Sequence, residues 1–189
     1  MSLIIVDENR NEDVLTIQRL LNDSLDELEL IAEGSTAIVY KYKDLAVKVL
    51  KTNEFKEKDL YLLSWREAEG LHRLRELDCV PKIIALKESE FIVMEYVQGE
   101  LLEDIQDETR LKNISQQVKA FKEYCAMADM YPRDLYSHNI IVRPGGTLTF
   151  IDLGYYSVTG IEDWDWESNW EDFNLQNQDI QYEMSLKKA

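Results

Sequence analysis

Between residues 28 and 50 the chain reads LELIAEG, TAIVYKY and DLAVKVL, three short stretches that alternate or run apolar and are split by Gly34 and by Lys43-Asp44. That pattern predicts a strand meander, because apolar residues recurring at every second position line one face of a sheet. The period then changes. Residues 54–77 put Leu60, Leu63, Leu71 and Leu74 on one helical stripe, and KIIALK (82–87) and EFIVMEYV (90–97) read as two strands joined by a tight turn. From about 100 to 130 the spacing is helical again, with Leu111, Ile114, Val118, Phe121 and Cys125 at helical steps, and a hairpin IIV-RPGG-TLTFI follows. Ahead of the meander, residues 13–30 place Leu15, Ile17, Leu20, Leu21 and Leu25 near helical spacing, with Asn22 and Asp23 available to end that helix. The order is a strand-rich half with one main helix and then a helix-rich half with one hairpin, an α+β arrangement whose natural boundary is close to residue 98.

At 189 residues the chain is long enough for one good core or two small lobes. Its net charge of −16 repels phosphate backbones and anionic membrane surfaces, which argues against nucleic-acid and membrane partners. Any nucleotide site must therefore carry its own positive charge or a metal. Cys79 and Cys125 lie 46 positions apart with no metal-ligand spacing, and no stretch approaches 18 apolar residues, so a soluble protein of the reducing cytoplasm is expected.

Three places carry polar groups that a core would not choose. Lys48 lies in the apolar strand DLAVKVL, on the face of Ala46 and Leu50; an edge lysine that deters aggregation is the alternative. Glu67 falls in the middle of the leucine stripe of 54–77, where it needs a cationic partner or a polar cleft, unless the helix lies at the core edge and the side chain curls outward. Each lacks a local partner and each would supply the other's. In the stretch YPRDLYSHNIIVRPGGTLTFIDLG, Asn139 sits just before the first hairpin strand, Asp152 just after the second, and Asp134 a short loop earlier. Two carboxylates and an amide gathered by a hairpin suit a divalent cation plus a base, with an ordinary polar turn as the alternative.

Taken in order, these pieces resemble the protein-kinase-like superfamily, and its compact atypical members of the RIO type or small-molecule phosphotransferases more than its regulated signalling kinases. EGSTAIV looks like the glycine-rich loop, with Gly34 matching one glycine and Val39 the final valine; Leu45-Ala46-Val47-Lys48 looks like the V-A-I-K strand, and Glu67 like the glutamate of helix C. FIVMEYVQG resembles the hinge, with Met94 as gatekeeper and Glu95 to Val97 offering backbone hydrogen bonds to adenine. Pro132-Arg133-Asp134-Leu135-Tyr136-Ser137-His138-Asn139 is similar to H-R-D-L-x-x-x-N, with Pro132 in place of His, and Asp152-Leu153-Gly154 to D-F-G.

The resemblance implies a two-lobed fold: a helical extension over 1–27, a strand-rich N-lobe over 28–98 and a reduced helical C-lobe over 99–189. It implies ATP and Mg²⁺ as cofactors. Lys48, held by Glu67, would contact the phosphates; Gly34, Val39, Ala46, Met94, Glu95 and Val97 would line the nucleotide; Asn139 and Asp152 would hold the metal; Asp134 would act as the base. The activity implied is transfer of the γ-phosphate to a hydroxyl, with a protein serine or threonine as the expected acceptor. A nucleotide-binding scaffold without transfer and a kinase of a small metabolite are the alternatives. Residues 162–189 hold eight acids and three of the four Trp; the stretch IEDWDWESNWEDF fails the EF-hand test at Ser168 and Asn174 and reads as a short helical segment packing Trp164, Trp166, Trp170 or Phe173 onto the second lobe, with docking of a basic partner as the alternative.

Overall fold

The computed structural model describes residues 2–105, 114–132, 134–154 and 156–157. Arg133, Leu111 and the acidic Trp-rich segment therefore lie outside the described residues, and so do the expectations attached to them. The described residues fall into two compact units, 2–72 with 81–96, and 73–80 with those between 97 and 157.

The first unit is built on a six-stranded sheet of β1 (Leu3–Ile5), β2 (Glu29–Glu33), β3 (Ala37–Tyr42), β4 (Leu45–Leu50), β5 (Ile83–Lys87) and β6 (Phe91–Glu95), with two helices, α1 (Asn11–Asp23) and α2 (Glu57–Arg73). Its order is β1-β5-β6-β4-β3-β2, and every neighbouring pair runs antiparallel. The meander needs only tight turns, and Lys43, with φ 54, supplies the left-handed residue between β3 and β4.

Alternation along β4 divides the two faces. Leu45 and Val47 join Val14, Ile17 and Leu20 of α1, together with Tyr42, Ile84, Phe91 and Val93, in one apolar cluster. Each such side chain removed from water contributes about 1.5–3 kcal/mol. Residues 1–27 are thus more than a helix: β1 adds an edge strand registered Leu3↔Lys87, and α1 closes the core of the sheet. The buried stripe of α1 runs through Val14, Ile17 and Leu20, whereas Leu15 and Leu25 are exposed. Asp13 pairs with Lys43 at 2.6 Å and Arg10 with Asp44, tying α1 to the β3–β4 turn.

The second unit contains β7 (Glu100–Leu101), α3 (Ile114–Met127), β8 (Tyr131–Pro132), β9 (Ile140–Val142), β10 (Leu148–Phe150) and β11 (Tyr156–Ser157). Residues 100–104, expected as the start of a helix, instead form β7 and a single 3-10 turn, because Glu100 and Leu101 pair with Val142 and Ile141 of β9. Gly99 permits that approach: a Cβ there would stand 2.5 Å from both Ile141 Cγ2 and the Val142 carbonyl oxygen. Arg73–Val80 belongs here because Phe150 N–H donates to the Cys79 carbonyl at 2.8 Å and Leu74 and Val80 are buried.

α3 grips the β9–β10 hairpin. Gln117 donates from Nε2 to the Gly146 carbonyl at 3.0 Å and accepts from Leu148 N–H at 2.8 Å, and Phe121 stacks on Phe150 with centroids 3.8 Å apart. The hairpin that carries Asn139 and Asp152 at its two ends is held rigidly from one side.

Candidate functional site

In the first unit the strand register collects the expected nucleotide-binding side chains on one face. Val39 is opposite Lys48, Ala46 is opposite Met94, and Ala46 and Lys48 are two apart on β4, so all four share the face turned away from α1. β4 lies between β3 and β6, which removes the edge-lysine alternative for Lys48.

Lys48 Nζ donates to Glu67 Oε2 at 2.7 Å, and the two residues are only 9% and 4% exposed. Burying two charges carries a desolvation cost that close pairing offsets but seldom turns into net stability, so the arrangement has no evident purpose in folding. Glu67 is delivered by α2, whose buried side runs through Leu60, Ser64, Glu67, Ala68 and Leu71. Ser64, absent from the sequence reading, fixes the helix one turn before Glu67: its hydroxyl donates to the Tyr61 carbonyl at 3.0 Å and accepts from Ser89 N–H at 3.3 Å. A small hydroxyl at i−3 from a buried acid was the only sequence signal for it.

The loop between β2 and β3 differs in one respect from the expectation. Gly34 N–H donates to the Ala37 carbonyl at 2.9 Å, so that amide is already used in closing the turn. The free amides belong to Ser35 and Thr36, which make no hydrogen bond through N–H among the described residues. After β6, the N–H of Glu95 donates to Lys82 and that of Tyr96 to Asp44, each at 2.9 Å, whereas Val97 N–H is unused among the described residues. Of the N–H groups in the stretch expected to offer backbone hydrogen bonds to adenine, that of Val97 is the one left to donate among the described residues. The Glu95 side chain follows Leu45, its opposite number, onto the α1 face.

In the second unit Asn139 is the organising residue. It is 6% exposed, and its Nδ2 donates to the Asp134 carbonyl at 2.8 Å and to Asp134 Oδ2 at 3.2 Å. Its own N–H donates to the Tyr136 carbonyl, and its carbonyl accepts from Ile151 N–H, both at 2.9 Å. One side chain thus sets the Asp134 loop, while its backbone sets the strand end that leads into Asp152. Asp152 has φ 57, a left-handed conformation that Asp adopts more readily than most residues, and Leu153 beside it is fully buried.

The donor chemistry of this cluster fits magnesium. With Nδ2 committed to Asp134, Asn139 offers its side-chain oxygen, and Asp152 adds a carboxylate; both are hard oxygen donors. No cluster of three or more His, Cys, Asp or Glu able to hold a metal occurs among the described residues. A cation bound by one carboxylate and one amide oxygen needs further ligands from a substrate, and magnesium is commonly held that way by nucleotide phosphates.

Residues 16–166 match the ABC1 atypical kinase-like domain. The chain belongs to that family. ABC1 domains are part of the protein-kinase-like superfamily, and the solved structures agree on the fold. The Rio2 kinase of Chaetomium thermophilum, determined as an ADP/Mg²⁺-phosphoaspartate complex, superposes with a TM-score of 0.66 at 15% identity, over 89% of this chain and 58% of its own. In sequence, cyclin-dependent kinase 1 of Encephalitozoon cuniculi (strain GB-M1) is 28% identical over 158 residues, 75% of this chain and 53% of that kinase. Serine/threonine-protein kinase TIO of Arabidopsis thaliana is 27% identical over 141 residues, 68% of this chain and 11% of that kinase. This ABC1-type chain spans about half the length of the first relative and about a tenth of the second. Its family is kinase-like, and the relatives it matches in sequence are kinases.

Proposed function

We propose that this protein is an active ATP- and Mg²⁺-dependent phosphotransferase that transfers the γ-phosphate to a hydroxyl, with a protein serine or threonine as the favoured acceptor. The observation that supports it most is the buried Lys48–Glu67 pair at 2.7 Å on the sheet face shared by Val39, Ala46 and Met94. An ammonium kept charged in an apolar wall is suited to an anion, and Glu67 holds it in position.

Lys48 contacts the phosphates, and the amides of Ser35 and Thr36 approach them from the loop that begins at Gly34. Val39, Ala46 and Met94 offer the base an apolar wall, and Val97 keeps an N–H able to donate to a ligand. Asn139 and Asp152 would hold the metal, which would supply charge neutralisation on the phosphates. Asp134 accepts the proton of the attacking hydroxyl, its carboxylate kept in place by Asn139. Phosphoryl transfer asks chiefly for positioning and charge stabilisation, and these groups provide both. The Rio2 relative binds ADP and Mg²⁺, and kinases of the serine/threonine type are among the sequence relatives, which supports the same cofactors and acceptor here.

Among the described residues no helix is long and apolar enough to cross a membrane. The test is nucleotide-linked stability. ATP with Mg²⁺ raises the melting temperature of the wild type by mass action, and Lys48→Ala abolishes the shift; an equal shift in both proteins would sink the proposal.

A further inference from the structure

We infer that Tyr136, with His138 stacked on it, determines which acceptor is phosphorylated, and that the acceptor is an alcohol bearing a cationic group close to its hydroxyl. The inference rests on the phosphotransferase reading and adds the substrate class to it. From Leu135 to Asn139 the side chains alternate: Leu135, Ser137 and Asn139 are buried, while Tyr136 and His138 face out. Tyr136 is 40% exposed, and its ring lies nearly parallel to the His138 imidazole, 5.4 Å between centroids with 18° between planes. An exposed aromatic is free to rotate unless something holds it. Here the stack fixes the ring, and Asn139 fixes the backbone, because the same residue bonds the Tyr136 carbonyl through its N–H and Asp134 through its amide. The Tyr136 backbone and the Asp134 carboxylate are therefore tied to one and the same residue.

The chemistry of that surface selects for cations. An aromatic face attracts an ammonium or guanidinium within about 6 Å of its centroid. The 3-10 turn Leu102–Asp104 packs against the turn Ser137–Asn139, which brings the exposed Asp104 into the same neighbourhood. The chain's net charge of −16 adds a long-range field of the same sign. An anionic acceptor is disfavoured by each of these, and a neutral one gains from none.

Two sources offer this chemistry, a serine peptide flanked by Arg and Lys and a small amino alcohol. The experiment measures ADP formation by wild type, Tyr136→Ala and Tyr136→Phe with four acceptors: an Arg/Lys-flanked serine peptide, the same peptide flanked by Glu, ethanolamine and glycerol. Preference for the basic peptide over the Glu-flanked one assigns a protein source, and preference for ethanolamine over glycerol a metabolite source. In either case Tyr136→Ala raises the KM of the cationic acceptor about tenfold or more and leaves the KM for ATP unchanged, and Tyr136→Phe restores the acceptor KM. Equal use of cationic and neutral or acidic acceptors, or an acceptor KM indifferent to Tyr136→Ala, overturns the inference. Binding of the basic peptide and of ethanolamine to Asp134→Asn, measured by calorimetry, separates the two levels. Tyr136-dependent binding without turnover in the wild type counts against the phosphotransferase reading and upholds the cation site; absence of Tyr136-dependent binding overturns the cation site whatever the turnover.

Discussion

Lys48 on β4 and Glu67 on α2, nineteen positions apart in the chain, meet at 2.7 Å inside the first unit. Removing one partner leaves the other charge buried, which typically costs about 3–5 kcal/mol. Lys48→Ala and Glu67→Ala are each expected to lower stability on that scale, read by urea denaturation. The double variant Lys48→Met/Glu67→Leu, which removes both charges at similar volume, recovers most of the loss and still shows no ATP-dependent melting shift. A double variant as unstable as the singles would mean that the pair is structural.

Gly34 and Gly99 make opposite predictions. A Cβ on Gly34 meets only the Ala37 carbonyl oxygen at 3.6 Å, an ordinary contact, so Gly34→Ala changes stability by no more than about 0.5 kcal/mol. Its effect is expected in ATP affinity, measured by calorimetry, since the loop must admit phosphate oxygens to the Ser35 and Thr36 amides.

At Gly99 the intruding Cβ meets β9 backbone at 2.5 Å, which cannot yield as a flexible side chain would. Gly99→Ala is expected to destabilise by about 1–3 kcal/mol, the usual cost of overpacking, in a thermal or denaturant melt.

Much of the fold is legible in the sequence. Lys48 and Glu67 stood out because each broke an apolar period, and the hairpin could be read because Pro-Gly-Gly punctuates two short apolar runs. What escaped the sequence has a common physical cause. β1 is three residues long and is a strand only because β5, some eighty residues away, pairs with it. β7 is two residues long and owes its place to the close approach at Gly99. On the first helix the expected stripe holds at Ile17, Leu20 and Leu21 and fails at Leu15, because a leucine-rich helix offers several plausible stripes and only the sheet decides that Val14 and not Leu15 faces it. Among the site residues, spacing could propose Asn139, Asp134 and Asp152, but only the hydrogen bonds show Asn139 holding the Asp134 loop.

The attachment of α1 is pH-sensitive on the acid side. Hydrogen bonding from Lys43 holds the Asp13 carboxyl below the ordinary carboxylate range; partial burial opposes this, and Arg10 adds to it. A group whose folded pKa is depressed stabilises above its unfolded value, about 3.9, and that stability is lost as pH falls through the folded value. Melting temperature measured from pH 7 down to about pH 3 is expected to fall less steeply below pH 4 in Asp13→Asn than in wild type, from a lower plateau at neutral pH. Parallel curves would show that the pair contributes nothing.

The most direct test is turnover of γ-labelled ATP with Mg²⁺ by wild type and Asp134→Asn. Asp134→Asn is expected to keep nucleotide affinity within about twofold and to lose turnover by about 10²-fold or more, the usual scale for a positioned general base. Equal turnover in the two proteins, or a wild type that binds ATP and transfers nothing to any hydroxyl, would contradict the assignment.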